Sequence, residues 1–227
     1  MKMISLALLA VSFSAFANNP ELDAIFKKYE SSLMNFKVGM KSVADVESTD
    51  FDIAEDGTMT SKLTKKYVTS VLLKVDGTKV YAYEVTKDLS SGEESIVLML
   101  SDYKYDSSSE SDFSNIKMVN HLLSGDFTGK FDDRFSSYSY KGSFTKDLLT
   151  SFFCGSTNNV TGDYTDLSTG RVYPVKDNQI NNCNGIMPTS EIKKIDLTEV
   201  EFCDNTLPDD AESNCETRDM SFLTSDL

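Results

Sequence analysis

The residues of this chain with the most specific chemistry are four cysteines, Cys154, Cys183, Cys203 and Cys215, all in its last third. An even number of cysteines in an exported chain implies two disulfides, and four cysteines allow three pairings. Sequential pairing, Cys154 with Cys183 and Cys203 with Cys215, is preferred because it closes two short local loops. Each staple is worth about 3 kcal/mol through the unfolded state. Zinc is the rival use, but no C-x2-C pair is present to start a structural zinc site.

The second staple would enclose CDNTLPDDAESNC, which offers Asp204, Asp209, Asp210 and Glu212 as candidate calcium ligands. Their spacing matches no regular calcium cage. The stretch reads first as a solvated acidic loop, kept at the surface by Pro208 and its bridge. A partner for it should be basic and the contact salt-sensitive. A second stretch, Asp52 to Gly57, resembles the start of an EF-hand loop, with glycine at the sixth position. Its third position is Ala54 and its twelfth is Leu63 in place of the bidentate glutamate, so a hairpin turn explains it better.

Catalytic constellations are scarce. His121 is the only histidine, so any Ser-His-Asp or Cys-His site would have to be built on it. It stands among Met118, Val119, Leu122 and Leu123 and reads as a partly buried helix position. Bridged cysteines supply no thiolate nucleophile. The chain has no G-x-S-x-G, H-E-x-x-H, P-loop or G-x-G-x-x-G motif. A carboxylate pair would suffice for glycoside hydrolysis. However, 36 acidic residues single out no pair, and no tryptophan is present to stack on a sugar ring. Asn159-Val160-Thr161 fits the N-glycosylation pattern.

The elements that must position these residues begin after an export signal. Residues 1–17, MKMISLALLAVSFSAFA, place one lysine before an apolar run that ends in Ala-Phe-Ala. The run is too short to span a bilayer and fits a cleaved signal peptide. The mature chain is then expected to start near Asn18, with a periplasmic or secreted location. No later stretch approaches the roughly 20 apolar residues of a membrane helix. The 36 acidic and 22 basic residues leave a formal net charge of −14, more negative still without Lys2. Such a surface repels nucleic acid and anionic lipid.

Asn19, Pro20, Glu21 and Asp23 form a helix start, and Leu22, Ile25, Phe26, Tyr29 and Leu33 then recur at helical spacing. This predicts an N-terminal amphipathic helix packed on a sheet. Beyond it the period changes to two. Asp56-Gly57 and Asp76-Gly77 separate β-branched runs, which predicts successive hairpins. Ile96–Leu100 reads as a strand covered on both faces. The polar stretch DSSSESD, Asp106 to Asp112, is expected to be a long loop, with a weaker alternative as a boundary between two domains. Ser114–Ser124 predicts a short helix ended by Gly125. The aromatic run from Phe127 to Phe153, a hairpin at Ser168-Thr169-Gly170 and a strand from Ile192 to Phe202 complete the pattern.

The expected fold class is β-rich α+β: an antiparallel meander, curved sheet or half-barrel with a leading helix and a disulfide-stapled last third. It forms one domain over residues 18–227. The leading helix followed by KVDGTKVYAYEV, Lys74 to Val85, is loosely similar to periplasmic lipoprotein-carrier proteins over residues 20–100. That resemblance implies an open half-barrel over a helical lid. The arginine- and proline-bearing strand expected before the hairpin is absent here. These features point to an exported, soluble, non-catalytic binding protein without a cofactor. Its ligand would be apolar or lipid-like, lined by the aromatic run and by Met99 and Met118. The alternative is an adhesion, inhibition or scaffolding protein that presents an edge strand or the acidic loop to a protein partner. A carboxylate-based hydrolase ranks below both.

Overall fold

The computed structural model of the chain describes residues 19–54, 58–103, 111–132, 136–206, 214–225 and 227. The signal segment, Asp56-Gly57 and residues 106–110 lie outside them. Asn19 caps the first helix, α1 (Pro20–Leu33), by accepting from the backbone N–H groups of Glu21 and Leu22 at 3.1 and 3.2 Å. This satisfies two donors that would otherwise lack partners at the helix start.

Nine strands then follow, β1 (Met40–Ile53), β2 (Met59–Asp76), β3 (Lys79–Asp88), β4 (Glu94–Asp102), β5 (Asp112–Val119), β6 (Leu122–Asp132), β7 (Ser136–Asp147), β8 (Ser156–Asp166) and β9 (Arg171–Ile186). A turn of helix α2 (Thr189–Ile192), strands β10 (Val200–Asp204) and β11 (Cys215–Arg218) and a turn of helix α3 (Phe222–Ser225) complete the chain. All eleven strands form one open sheet in the order β11-β10-β4-β3-β2-β1-β9-β8-β7-β6-β5. It consists of two antiparallel meanders, β1–β4 and β5–β9, joined where β1 pairs antiparallel with β9. β10 returns to lie parallel to β4, the one parallel pairing among the described residues.

The Asp76-Gly77 turn joins β2 to β3, with Gly77 in the left-handed region at φ 61°. The Ser168-Thr169-Gly170 turn joins β8 to β9 as expected. Two expectations about where elements lie fail. Ser114–Ser124 is not a helix: its apolar residues lie on β5 and β6, which pair from Val119↔Leu122 back to Asp112↔Thr128. Asn120, at φ 58°, makes the tight turn, a conformation asparagine tolerates better than most residues. The strand expected over Ile192–Phe202 starts only at Val200, because Ile192 ends α2 and is buried with Leu197 and Val200.

Side chains directly opposite one another on neighbouring strands share a face, so the pairings define two faces. On one, Leu22, Phe26 and Leu33 of α1 are buried against Leu123, Phe127, Phe144, Leu148 and Val160 of the β6–β8 region. Fully burying one such side chain contributes about 1.5–3 kcal/mol. Glycines make room for the rings here. Gly125 lies opposite Phe144, Gly129 opposite Tyr140 and Gly142 opposite Phe127. A β-carbon on Gly142 would stand 2.6 Å from the Phe127 ring and 2.4 Å from the Asn159 carbonyl oxygen. On the other face the C-terminal segment covers β2–β4, where Ile192, Leu197, Val200, Phe202, Met220 and Leu223 pack on Val71, Leu73, Leu98 and Leu100. Ile96, which the uninterrupted apolar run placed in a doubly covered strand, stays exposed.

Candidate functional site

Between these two packed regions, the α1 side of the central strands carries polar side chains. Cross-strand pairing puts Ser42, Ser48, Thr64, Ser70, Glu84, Asp177, Gln179, Asn181 and Asn158 on that face. Ser42, Ser48, Thr64, Ser70 and Asn158 are buried. The apolar residues of α1 pack at β6–β8, and those of α2 and α3 belong to the opposite face.

Part of the band is internally satisfied. Lys66 Nζ reaches Asp50 at 2.8 Å. The Thr64 hydroxyl donates to the same carboxylate at 2.9 Å, and the Ser70 hydroxyl donates to Glu84 at 2.9 Å. Burial raises the Glu84 carboxyl, opposed by its hydroxyl donors Ser70 and Thr86. Burial likewise pushes the Tyr103 phenol up to about 12, with the Glu84 charge adding to it.

The remainder is not satisfied. The Asp177 carboxyl accepts no hydrogen bond from a described residue. Burial pushes it up to about 6; nearby Lys66 opposes that rise and Asp50 reinforces it. The same neighbourhood holds Tyr138, whose phenol is pushed up to about 12 by burial, with further contributions from Asp177 and Tyr140. The rings of Tyr138 and Tyr140 stack at 5.2 Å. Asn158 Oδ1 and Asn181 Oδ1 are both buried without a partner, although Asn181 Nδ2 donates to the Phe153 carbonyl at 3.0 Å. A buried acceptor without a donor costs about 1–3 kcal/mol, so the Asn158 and Asn181 oxygens are held at a cost to the fold, and the half-buried Asp177 carboxylate adds its desolvation.

A different buried charge serves the fold directly. Lys146 is fully buried, and its ammonium donates to Thr150 Oγ1 at 3.2 Å, to the Ser151 carbonyl at 2.5 Å and to the Cys154 carbonyl. Burial pushes this amine down to about 7, against the charge of Asp147. Three acceptors match the three protons of an ammonium, so Lys146 ties down the loop between β7 and β8 that carries Cys154.

The disulfides join Cys154 to Cys183 and Cys203 to Cys215, with Cα separations of 5.0 and 4.0 Å. The first fastens the β7–β8 loop to the end of β9; the second links directly opposed residues of β10 and β11. Among the calcium candidates, Asp204 turns its Oδ1 onto the backbone N–H and hydroxyl of Thr206 at 2.9 and 2.6 Å, which makes it a turn residue. Asp209, Asp210 and Glu212 lie outside the described residues. Glu201 approaches Cys203 and Cys215, but those sulfurs are bonded to each other and offer no thiolate. His121 lies in the β5–β6 turn rather than in a helix, with Nε2 3.8 Å from Asp147. Among the described residues no helix is long and apolar enough to cross a membrane.

Sequence reasoning missed Asp177, Asn158 and Asn181. The available signal is DNQINN at Asp177 to Asn182, in which Asp177, Gln179 and Asn181 make one whole face of the strand polar and Ile180 is the one apolar residue. Comparison with family models, curated proteins and solved structures finds no match to this chain.

Proposed function

We propose that this chain is an exported, non-catalytic binding protein that holds a ligand on the α1 side of its central strands. An open sheet of eleven twisted strands tends to curl, and we take the α1 side as the concave one, in the manner of a half-barrel. The observation that carries the reading is the polar band itself: Asn158 and Asn181 hold buried amide oxygens that no described residue satisfies, beside the half-buried Asp177 carboxyl, near the centre of a sheet face. Packing would favour apolar residues at those positions. The aromatic residues expected to line an apolar cavity instead serve as core, since Phe127, Tyr138, Phe144 and Phe153 are buried among other side chains. A polar ligand therefore fits better than a lipid-like chain. Hydrolysis is less favoured because Asp50 is committed to Lys66 and Thr64 and Glu84 accepts from Ser70, which leaves Asp177 as the one free carboxyl of the band where such chemistry needs two.

The test is native mass spectrometry of protein purified from its own host, followed by a thermal-shift panel of polar and lipid-like compounds. A retained polar adduct supports the reading. Retention of an acyl-chain lipid alone would refute the polar assignment, and a ligand-indifferent protein that binds whole cells would refute the binding-protein reading.

One observation favours the interaction alternative. β5 is an edge strand, and at its tip Val119 (66% exposed) and Leu122 (51%) stand beside Leu149 (59%). Leu149 belongs to the adjacent turn, where the Leu148 N–H donates to the His121 carbonyl at 2.9 Å. A protein partner that adds a strand to β5 would cover this tip. Loss of cell or envelope binding on Val119→Asp would support that alternative.

A further inference from the structure

We infer that the polar band binds a linear organic cation, a di- or polyamine, with its ammonium end at Asp177. This inference rests on the reading of the band as a ligand site and names the ligand's chemistry.

The groups that want a partner are all acceptors. The Asn158 and Asn181 amide oxygens are buried without a donor, and Asp177 is a half-buried carboxylate on the same face, so the ligand must bring donors. Asn158 is 7% exposed. It stands opposite Gln179, on the same face as the other two and midway between them. Charge then selects among donors. The Asp50 carboxylate is matched by Lys66 at 2.8 Å, whereas Asp177 has no cation of its own among the described residues. The groups facing Asp177 are therefore one neutralised pair, Asp50 and Lys66, and the phenol of Tyr138.

Spacing sets the shape. Asp177 and Asn181 are four residues apart on one strand, about 13 Å at the usual rise. A compact ammonium cannot reach both, but an extended chain with donors at intervals can. The formal charge of −14 draws cations toward the whole molecule and repels anionic competitors.

The experiment is isothermal titration of the full mature protein with spermidine and with octanediol, an uncharged diol of comparable length. The variants are Asp177→Asn and, as a control for general charge attraction, Asp45→Asn, an exposed carboxylate pointing to the other face. The expected result is saturable spermidine binding at one site and no binding of octanediol. Asp177→Asn should weaken the affinity at least about tenfold and Asp45→Asn should leave it unchanged. Circular dichroism confirms that both variants fold. Equal losses in the two variants, or spermidine binding unaffected by Asp177→Asn, would overturn the assignment. Binding of octanediol as tightly as spermidine would overturn the cation while leaving the ligand face standing. Absence of binding by either compound overturns the cation, and if the native protein also carries no adduct, the ligand-face reading fails with it.

Discussion

Replacing Asp177 by asparagine should make the folded protein more stable at neutral pH. The carboxyl's ordinary value of 3.8 is raised to about 6, chiefly by burial. A raised carboxyl means that the folded state holds its proton more tightly than the unfolded chain does. The resulting stabilisation is complete below about pH 4 and is lost as pH rises through about 6. A tenfold change in proton affinity is worth about 1.4 kcal/mol, so the upper bound here is about 3 kcal/mol. Asp177 is only partly buried, and solvent screening reduces this to roughly 1–2 kcal/mol. Asparagine keeps the shape and carries no charge to desolvate. The variant should therefore gain about 1–2 kcal/mol near pH 7.5 and almost nothing near pH 4, which for a chain of this length is a rise in Tm of roughly 2–8 °C. The assay is urea denaturation at both pH values, followed by far-ultraviolet circular dichroism because the chain has no tryptophan. A variant less stable than the parent near pH 7.5, or a difference that does not change with pH, would refute the reasoning. Paired with the loss of spermidine binding, a stabilising Asp177→Asn would identify a carboxylate retained for its ligand at the expense of the fold.

Three further outcomes follow from the packing. Lys146→Met keeps the aliphatic stem but removes the ammonium donor from the Ser151 and Cys154 carbonyls, which keep only the Cys154 N–H at 3.3 Å and the Thr150 hydroxyl at 3.0 Å; urea denaturation should show a loss of about 1–3 kcal/mol. Replacing Cys154 and Cys183 together by serine opens a loop of sequence separation 29, against 12 for Cys203 and Cys215. The chain-entropy relation gives about 3.5 kcal/mol for the first and about 3 for the second, so thermal melts should rank the first loss as larger, and reduction of the parent should add four hydrogens by intact mass. Gly142→Ala would force a β-carbon against the Asn159 carbonyl and the Phe127 ring; it should cost about 1–3 kcal/mol, and an unchanged melting temperature would contradict the tight packing under α1.

Sequence signals are legible where the physics is local. Asn19 caps its helix through N–H groups two and three residues away, and Gly77 and Gly170 turn the chain within a few residues. The Ser114–Ser124 stretch misled because Ile116, Val119 and Leu123 fit a helical stripe. Val119 and Leu122 in fact oppose one another across a hairpin, and spacing alone cannot separate those cases.

The sequence by itself determined a strand-rich chain with a capped leading helix, an acidic charge, two cysteine pairs and no catalytic motif, since each rests on composition or on neighbours along the chain. Tertiary structure decided which polar residues meet. Ser48 stands opposite Asp177 only because β9 closes onto β1 across more than a hundred residues, and the β8–β9 hairpin then brings Asn158, opposite Gln179, to the same face. Strand pairing over such a distance is set by the burial of whole faces, which α1 and the C-terminal segment each claim at one end of the sheet. Between those ends the face keeps its polar side chains, and the candidate ligand site lies there.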